Sequence, residues 1–418
     1  MNVNKSTENL HREDEFSNMK KILLLGGAAQ QVVAIKTAKR LGYYTVLCDF
    51  LPDNPGQYEA DEFYLISTTD KEAVLQVARQ ENVQGVLAYA SDPAAPTAAY
   101  VAQKMGLPGN PFDSVEVLCN KDKFRTYLKD NGFCAPKAKG YTCIENACHD
   151  IESGAFHLPI IVKPVDSSGS KGTTVLHDIN GIKALKKAFN FSRKKRIIVE
   201  EFIERKHPYL IGGDIFIENG EVILWGLLNC HRDPKGNQLV PVGKSYPLLL
   251  EKEDVQRIKV TLKKLVEKLN IQNGAMNVEL IIDRDNHVFP IDIGPRSGGN
   301  MIPVFLGDIF QIDIPRMCVQ AAMGEKINFA PLVSEGCYTT INLHSRENGI
   351  YKGIWFSEKI QQHIYRLFVY KKEGDKVEKF ENASNCLGVA FLKFNDENTL
   401  LDVWNHIDDH VKIELQLG

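Results

Sequence analysis

Two acids raise the first chemical question in this chain. Glu279 lies in Asn277-Val278-Glu279, and Asp292 opens Asp292-Ile293-Gly294-Pro295-Arg296. Between them the residues read as a strand, a tight polar turn and a second strand. If Arg284 to His287 form a four-residue turn, Asp283 pairs with Val288 and the antiparallel register sets Glu279 opposite Asp292. Facing carboxylates repel unless a cation neutralises them. A hard divalent ion held by oxygen would do so, and would suit phosphate chemistry. The plainer reading is two exposed strand acids. Val278, Leu280, Ile281, Ile291 and Ile293 weigh against it, because they bury at least one face.

Three other segments offer groups that bind phosphate. Leu158 to Val162 reads as a strand delivering Lys163, followed by Ser167-Ser168-Gly169-Ser170-Lys171-Gly172. Such a loop offers backbone N–H groups and hydroxyls to phosphate oxygens, and Lys163 adds a fixed charge. The P-loop spacing is absent. A flexible turn is the simpler reading, but a lysine in an apolar strand needs an anion. Asn120 to Asn131 reads as a basic amphipathic helix, with Asn120 as N-cap and Gly132 just past its end. Lys121 and Arg125 share a face of it, which taken alone is most simply a solvated face. After Arg296, Ser297-Gly298-Gly299-Asn300 forms a second backbone-rich anion loop.

Ordered elements must hold these groups in place. Lys20 to Leu25 suits a buried strand ending at Gly26-Gly27. Helix Gln30–Leu41, strand Tyr44–Cys48 ending at Asp49, helix Lys71–Glu81, strand Val86–Ala90 ending at Asp92, and helix Ala94–Met105 follow. This alternation implies an open parallel sheet whose ligands gather at strand ends, here Gly26-Gly27, Asp49 and Asp92. Asp49 and Asp92 read equally well as ordinary loop acids. A dinucleotide fingerprint from Gly26 would need glycines where Ala28 and Gln31 stand, so an oxidoreductase is a distant alternative. Further on, Arg196 to Glu201 is a short strand ending in two acids. Tyr209–Ile217 and Val222–Leu228 form a hairpin, and Lys252–Leu269 is a long helix. Asn229 to Leu250 reads as an irregular loop holding His231, Arg232, Asp233 and Lys244. Val304 to Met323 is mostly helical. In residues 331–418, Gly349–Glu358 and Arg366–Glu373 read as β-structure and Glu397–Asp409 as a helix.

A chain of 418 residues implies two to four domains. A formal net charge of −3 argues against a nucleic-acid scaffold. No apolar run approaches the ~20 residues that cross a bilayer. The nine cysteines include no Cys-x-x-Cys pair, which speaks against a zinc ribbon and for reduced thiols of a cytoplasmic protein. Met1 to Asn18 lack an apolar segment and read as a disordered leader, with Met1 or Met19 as the start.

Taken together, Asn120-Lys121 with Arg125, Lys163-Pro164 with its Ser/Gly loop, Val199-Glu200-Glu201-Phe202-Ile203, and Glu279 with Asp292 to Arg296 resemble the ATP-grasp superfamily of ADP-forming ligases. Within it the carboxylate–amine ligases, the purine-biosynthesis ATPases and carbamoyl-phosphate synthase are the nearest in pattern. The resemblance runs from about Lys20 to Gly418. It implies an α/β and α+β architecture: a Rossmann-like parallel sheet as pre-ATP-grasp domain over 19–117, an ATP-grasp fold of two α+β subdomains over 118–330 with its lid at about 135–200, and a small α/β subdomain over 331–418, after a leader over 1–18.

The resemblance also implies roles. Lys121 and Lys163 contact the ATP phosphates, with Lys163 also near adenine. Ser167, Ser168 and Gly169 lie in the lid. Glu200, Glu201 and Ile203 form the adenine hinge. Glu279 and Asp292 hold Mg²⁺, or Mn²⁺ in its place. Arg296 stabilises the transferring phosphoryl group, and Gly298 and Asn300, with Asp92, help hold the substrate. Two departures stand out. The family usually has Asn at Gly294 and Glu at Asp292, so the metal loses a ligand. It also has a ribose-binding Glu where His207 stands, for which His207 or Asp214 substitutes. The implied reaction is attack of a small carboxylate on the γ-phosphate of ATP, then displacement of phosphate by an amine or similar nucleophile. The alternatives are a kinase on this fold and a non-catalytic nucleotide-binding protein. Small-molecule substrates are the expected partners, with no nucleic acid or membrane, and a homodimer is left open.

Overall fold

The computed structural model describes residues 19–180 and 182–416, so the leader expected over 1–18 lies outside the described residues. Among these residues the strands gather into four sheets. In the first, β1 (Lys21–Leu25), β2 (Tyr44–Asp49), β3 (Glu62–Leu65) and β4 (Gly85–Leu87) run parallel in the order β3-β2-β1-β4. The two-residue period of β1 sends Leu23 and Leu25 to one face and Ile22 and Leu24 to the other. Leu23 and Leu25 meet helices Lys71–Gln80 and Ala95–Met105. Ile22 and Leu24 share a core with Phe305 and Met317, from helices Ile302–Phe310 and Ile314–Ala322. The sheet is therefore cemented to the later part of the chain.

A second sheet holds β5 (Ala138–Tyr141), β6 (Ile160–Pro164), β7 (Thr174–Leu176) and β8 (Ile197–Glu201), antiparallel in the order β5-β8-β6-β7. Ile160, Val162, Ile197 and Val199 pack with Leu185 and Ala188 of helix Ile182–Phe191. The same alternation turns Lys163 and Glu200 to the opposite face.

The remaining strands are β9 (Leu210–Glu218), β10 (Glu221–Arg232), β11 (Pro241–Tyr246), β12 (Gly274–Ile282), β13 (Val288–Gly294), β14 (Cys337–Leu343), β15 (Gly349–Phe356), β16 (Ile364–Val369), β17 (Lys376–Val377), β18 (Gly388–Phe394) and β19 (Val411–Gln416). Eight of them form an antiparallel sheet in the order β13-β12-β9-β10-β11-β14-β18-β16, and three a small sheet β17-β15-β19. The C-terminal residues thus extend the central sheet.

The structure departs from the sequence reading at several points. The segment Asn229–Leu250 holds the end of β10 and all of β11, joined by a loop. Its buried polar residues hid the strands, because they satisfy one another across the ladder: Asn229 Nδ2 donates to Ser245 Oγ at 3.1 Å, and His231 Nε2 lies 2.9 Å from the same hydroxyl. The expected helix over Val304–Met323 is two helices, separated where Gln311 takes φ 52 and Asp313 caps the second by accepting from Arg316 N at 3.0 Å. The helix expected over Glu397–Asp409 is broken at His406 into Glu397–Asn405 and Ile407–His410, and β16 begins at Ile364. Asn120 does not cap its helix through its side chain. Its Oδ1 accepts from Lys194 Nζ at 2.7 Å.

Candidate functional site

The β12–β13 hairpin carries the two acids, and Glu279 does pair with Asp292. The route differs from the expectation. Ile282, not Asp283, is opposite Val288, which shifts the turn end by one residue. A bulge between Glu279 and Leu280 then leaves Ile291 over and restores the pairing. Both acids are open in part: 24% of the Glu279 side chain and 43% of that of Asp292 are exposed.

Cations converge on these acids. Helix Lys121–Asp130 directs Lys121 Nζ to Asp292 Oδ2 and to the Ser167 carbonyl, both at 3.1 Å. Enclosure would raise the Asp292 pKa, but the charges of Lys121 and Lys163 outweigh it and lower the value. One turn along the helix, Arg125 donates to Glu200 Oε2 at 2.7 Å and to the Ile291 carbonyl at 2.7 Å. Lys163 forms an ion pair with the same Glu200. All three side chains are buried. Burial alone would raise the Glu200 pKa, but Arg125 and Lys163 hold it at about 2. Burial pulls Lys163 below the usual lysine range despite Glu200. The anion that Lys163 needed is thus a protein carboxylate, and the Glu200 side chain is turned to these cations. Glu201 accepts from His157 N at 2.9 Å, and the Phe202 amide beside Ile203 donates to the Pro159 carbonyl at 3.1 Å.

The Ser/Gly loop closes on itself and is held from outside at Gly169 and Ser170. Ser167 Oγ donates to the Lys171 carbonyl at 2.9 Å, and Ser170 Oγ to the Leu239 carbonyl at 2.9 Å. The Gly169 carbonyl accepts from Ala383 N at 3.1 Å. Ser168 lies between these contacts, and its carbonyl accepts from Lys171 N at 3.5 Å. A polar cavity of about 130 Å³ lies beside the loop, bounded by Asp92, Cys119, Lys121, Ser167 and Asp292.

At four of the expected ligand groups the fold already supplies protein partners. Both ring nitrogens of His207 have one: its Nε2 accepts from Ile282 N at 3.0 Å and its Nδ1 lies against the Tyr209 carbonyl. Asp214 is buried and accepts from Gly298 N at 2.8 Å and Asn277 Nδ2 at 2.9 Å, and burial raises its pKa. The loop after Arg296 is less open to anions than its glycines imply. The Gly298 amide is given to Asp214, and the Asn300 amide to Gln30 Oε1 at 2.7 Å. Asp92 binds Arg296, with Nε to Oδ1 at 2.7 Å and a second contact from Nη2 to Oδ2. In the first sheet, Asp49 is a loop pin, accepting from Gly27 N at 2.7 Å and Leu51 N at 2.8 Å. Gln31 plugs the glycine loop through Ala28 N and the Tyr89 carbonyl, which leaves no dinucleotide cradle.

Other groups near the acids were given no role from the sequence. Arg232 Nη2 lies 3.6 Å from Glu279 Oε1. Lys244 Nζ reaches Cys230 Sγ at 2.8 Å, over Gly212. Trp404 stacks on His231 at 4.1 Å, and burial depresses the His231 pKa to about 3. Buried polar residues on β10 and β11 were the one available hint.

The acid pair suits a hard cation. The described contacts engage Oδ2 of Asp292 and Oε1 of Glu279, so each carboxylate keeps a second oxygen for an ion facing the cleft.

Residues 156–304 match the model of the ATP-grasp domain family. The chain is similar to the carbamoyl phosphate synthase large chains of Clostridium botulinum (strain Langeland / NCTC 10281 / Type F) and Thermotoga maritima. Identity to the first is 22% over 339 residues, covering 77% of this chain and 31% of that protein. Identity to the second is 23% over 340 residues, covering 76% and 30%. The chain thus spans about a third of the length of these curated relatives. Among solved structures it resembles phosphoribosylglycinamide synthetase from Anaerococcus prevotii, with TM-score 0.73, 24% identity, and 96% and 100% of the two chains covered. It also resembles L-amino acid ligase from Bacillus licheniformis, with TM-score 0.77, 21% identity, and 95% and 99% covered. Residues 156–304 thus match the ATP-grasp domain family, within a chain whose overall fold is that of phosphoribosylglycinamide synthetase and L-amino acid ligase.

Proposed function

We propose that the protein is an ATP-dependent, ADP-forming ligase that activates a small carboxylate as an acyl phosphate and passes the acyl group to an amine or similar nucleophile. One observation carries this reading. Asp292, cross-strand from Glu279, lies in the field of Lys121, Lys163, Arg125 and Arg296, beneath a Ser/Gly loop.

Lys121 and Lys163 neutralise phosphate oxygens, and the loop from Ser167 to Gly172 excludes water from them. Glu279 and Asp292 would hold Mg²⁺, which when bound offsets charge on the β- and γ-phosphates. Arg296 donates N–H groups to the oxygens that gain charge during transfer. Its pKa is raised, because Asp92 outweighs its burial, so it stays protonated. The chain does no covalent chemistry in this scheme; it positions the reactants and offsets charge.

The test is a screen for ADP release with amino acids and other small carboxylic acids, with and without amines. Hydroxylamine then separates the products: a hydroxamate marks an acyl phosphate, and a stable phosphorylated acid marks a kinase. Tight ATP binding with no ADP from any acid would favour a non-catalytic nucleotide-binding protein. The engagement of Arg296 by Asp92 is what keeps that second reading in play.

A further inference from the structure

Arg296 is placed at the reacting end of the cleft, yet a carboxylate from the first sheet already holds it. Asp92 follows β4 and reaches across 204 positions of sequence to take Nε at 2.7 Å, with Nη2 on its other oxygen. Nη1 donates to the Ser297 carbonyl at 2.9 Å. A guanidinium has five N–H groups. Three are committed to these partners, so two remain for a ligand anion.

Gly294 lies under this fork. A Cβ at that position would stand 2.6 Å from Asp92 Oδ1, 3.1 Å from Arg296 Cζ and 3.2 Å from Arg296 Nε. Gly294 does not take a positive φ, so its backbone would accept any residue, and it is the space that excludes a side chain. A methyl group at 294 would therefore have to displace the tips of Asp92 and Arg296 from their paired positions.

We infer that Asp92 is a positioning residue for Arg296, and that Gly294 is side-chain-free so that this clamp can form. The clamp fixes the orientation of the guanidinium from another part of the fold. Asp92 acts through Arg296 and does not itself take the substrate. It presents the two remaining N–H groups to one anionic oxygen pair, that of the transferring phosphoryl group or of the acyl phosphate. The inference rests on the ligase reading for what the clamp serves, but not for the clamp itself.

Two experiments on the full chain separate these. The first needs no substrate: thermal unfolding of Gly294→Ala, Asp92→Ala and the double variant. Gly294→Ala is expected to lower Tm by several degrees in the natural background, and by less than half as much when Asp92 is alanine. Equal shifts in both backgrounds overturn the clamp. The second uses the acid that gives most ADP in the screen. Asp92→Asn is expected to lower kcat about 10- to 100-fold, with KM for ATP changed less than about threefold, and Asp92→Glu to recover part of the loss. An unchanged kcat in Asp92→Asn, measured where the variant is folded, overturns the positioning role. If the natural protein releases no ADP with any acid, the ligase reading fails, and the unfolding cycle still decides the clamp.

Discussion

Glu279 stands directly across the β12–β13 ladder from Asp292, and a bulge at Ile291 is what aligns them. Without that extra residue, Glu279 would face Ile291 and the two acids would point to opposite sides of the sheet. The pairing makes each acid necessary to the other's role. Asp292→Asn and Glu279→Gln are each expected to raise the Mg²⁺ concentration for half-maximal ADP release by at least about tenfold. A metal titration of the variants checks this. An unchanged Mg²⁺ requirement in both would move the metal elsewhere.

Arg296→Ala should lower the rate of ADP formation by about 10²–10³-fold, the usual effect of losing a fixed donor to developing charge. Single-turnover rates separate this from weaker binding. Near-normal turnover would remove Arg296 from the reaction.

Glu200 joins Arg125 and Lys163 in a buried cluster, so losing its charge leaves two cations unpaired. Glu200→Gln should cost about 3–5 kcal/mol, read from urea unfolding at neutral pH. The pH dependence has a definite sign. The folded pKa, about 2, lies below the ordinary glutamate value near 4.3. Its contribution is therefore complete above about pH 4.3 and disappears as pH falls towards 2, amounting to about 3 kcal/mol. The variant should lose that part of the acid slope.

His231 behaves differently, because the neutral ring is the buried form. Its folded pKa of about 3 lies below the usual 6.5, so the unfolded chain takes up the proton first. Stability attributable to His231 should fall as pH drops from about 6.5 towards 3, by up to about 5 kcal/mol. His231→Gln should flatten this part of the profile. An identical slope in the variant would mean that the ring beneath Trp404 is not the titrating group.

The Ser/Gly loop is tied to the C-terminal region. Ala383 N donates to the Gly169 carbonyl, and Ala383 is the first residue of a short helical turn, where proline fits. Ala383→Pro removes that donor with little other change. A hydrogen bond of about 1 kcal/mol corresponds to about a fivefold rise in KM for ATP. Faster tryptic cleavage at Lys171 should accompany it, with kcat retained. Unaltered KM and cleavage would show that the lid closes without this contact.

The sequence by itself determined the elements and the groups that carry charge. The apolar run of β1, the helix bearing Lys121 and Arg125, the strand delivering Lys163 and the hairpin with its two acids all follow from local pattern, because the periods of strand and helix fix which side chains share a face. It also supplied the ordered motifs that point to ATP. Tertiary structure decided where each charge is spent. Local pattern carries no record of partners far along the chain, so nothing near Lys163 announced Glu200 and nothing near Arg296 announced Asp92. The same limit explains His207, Gly298 and Asn300, whose polar groups looked available until packing gave them partners inside the fold. Burial punishes any unpaired polar group, so the chain satisfies its own donors first. What is left over for a ligand can be counted only once every strand and loop is in place.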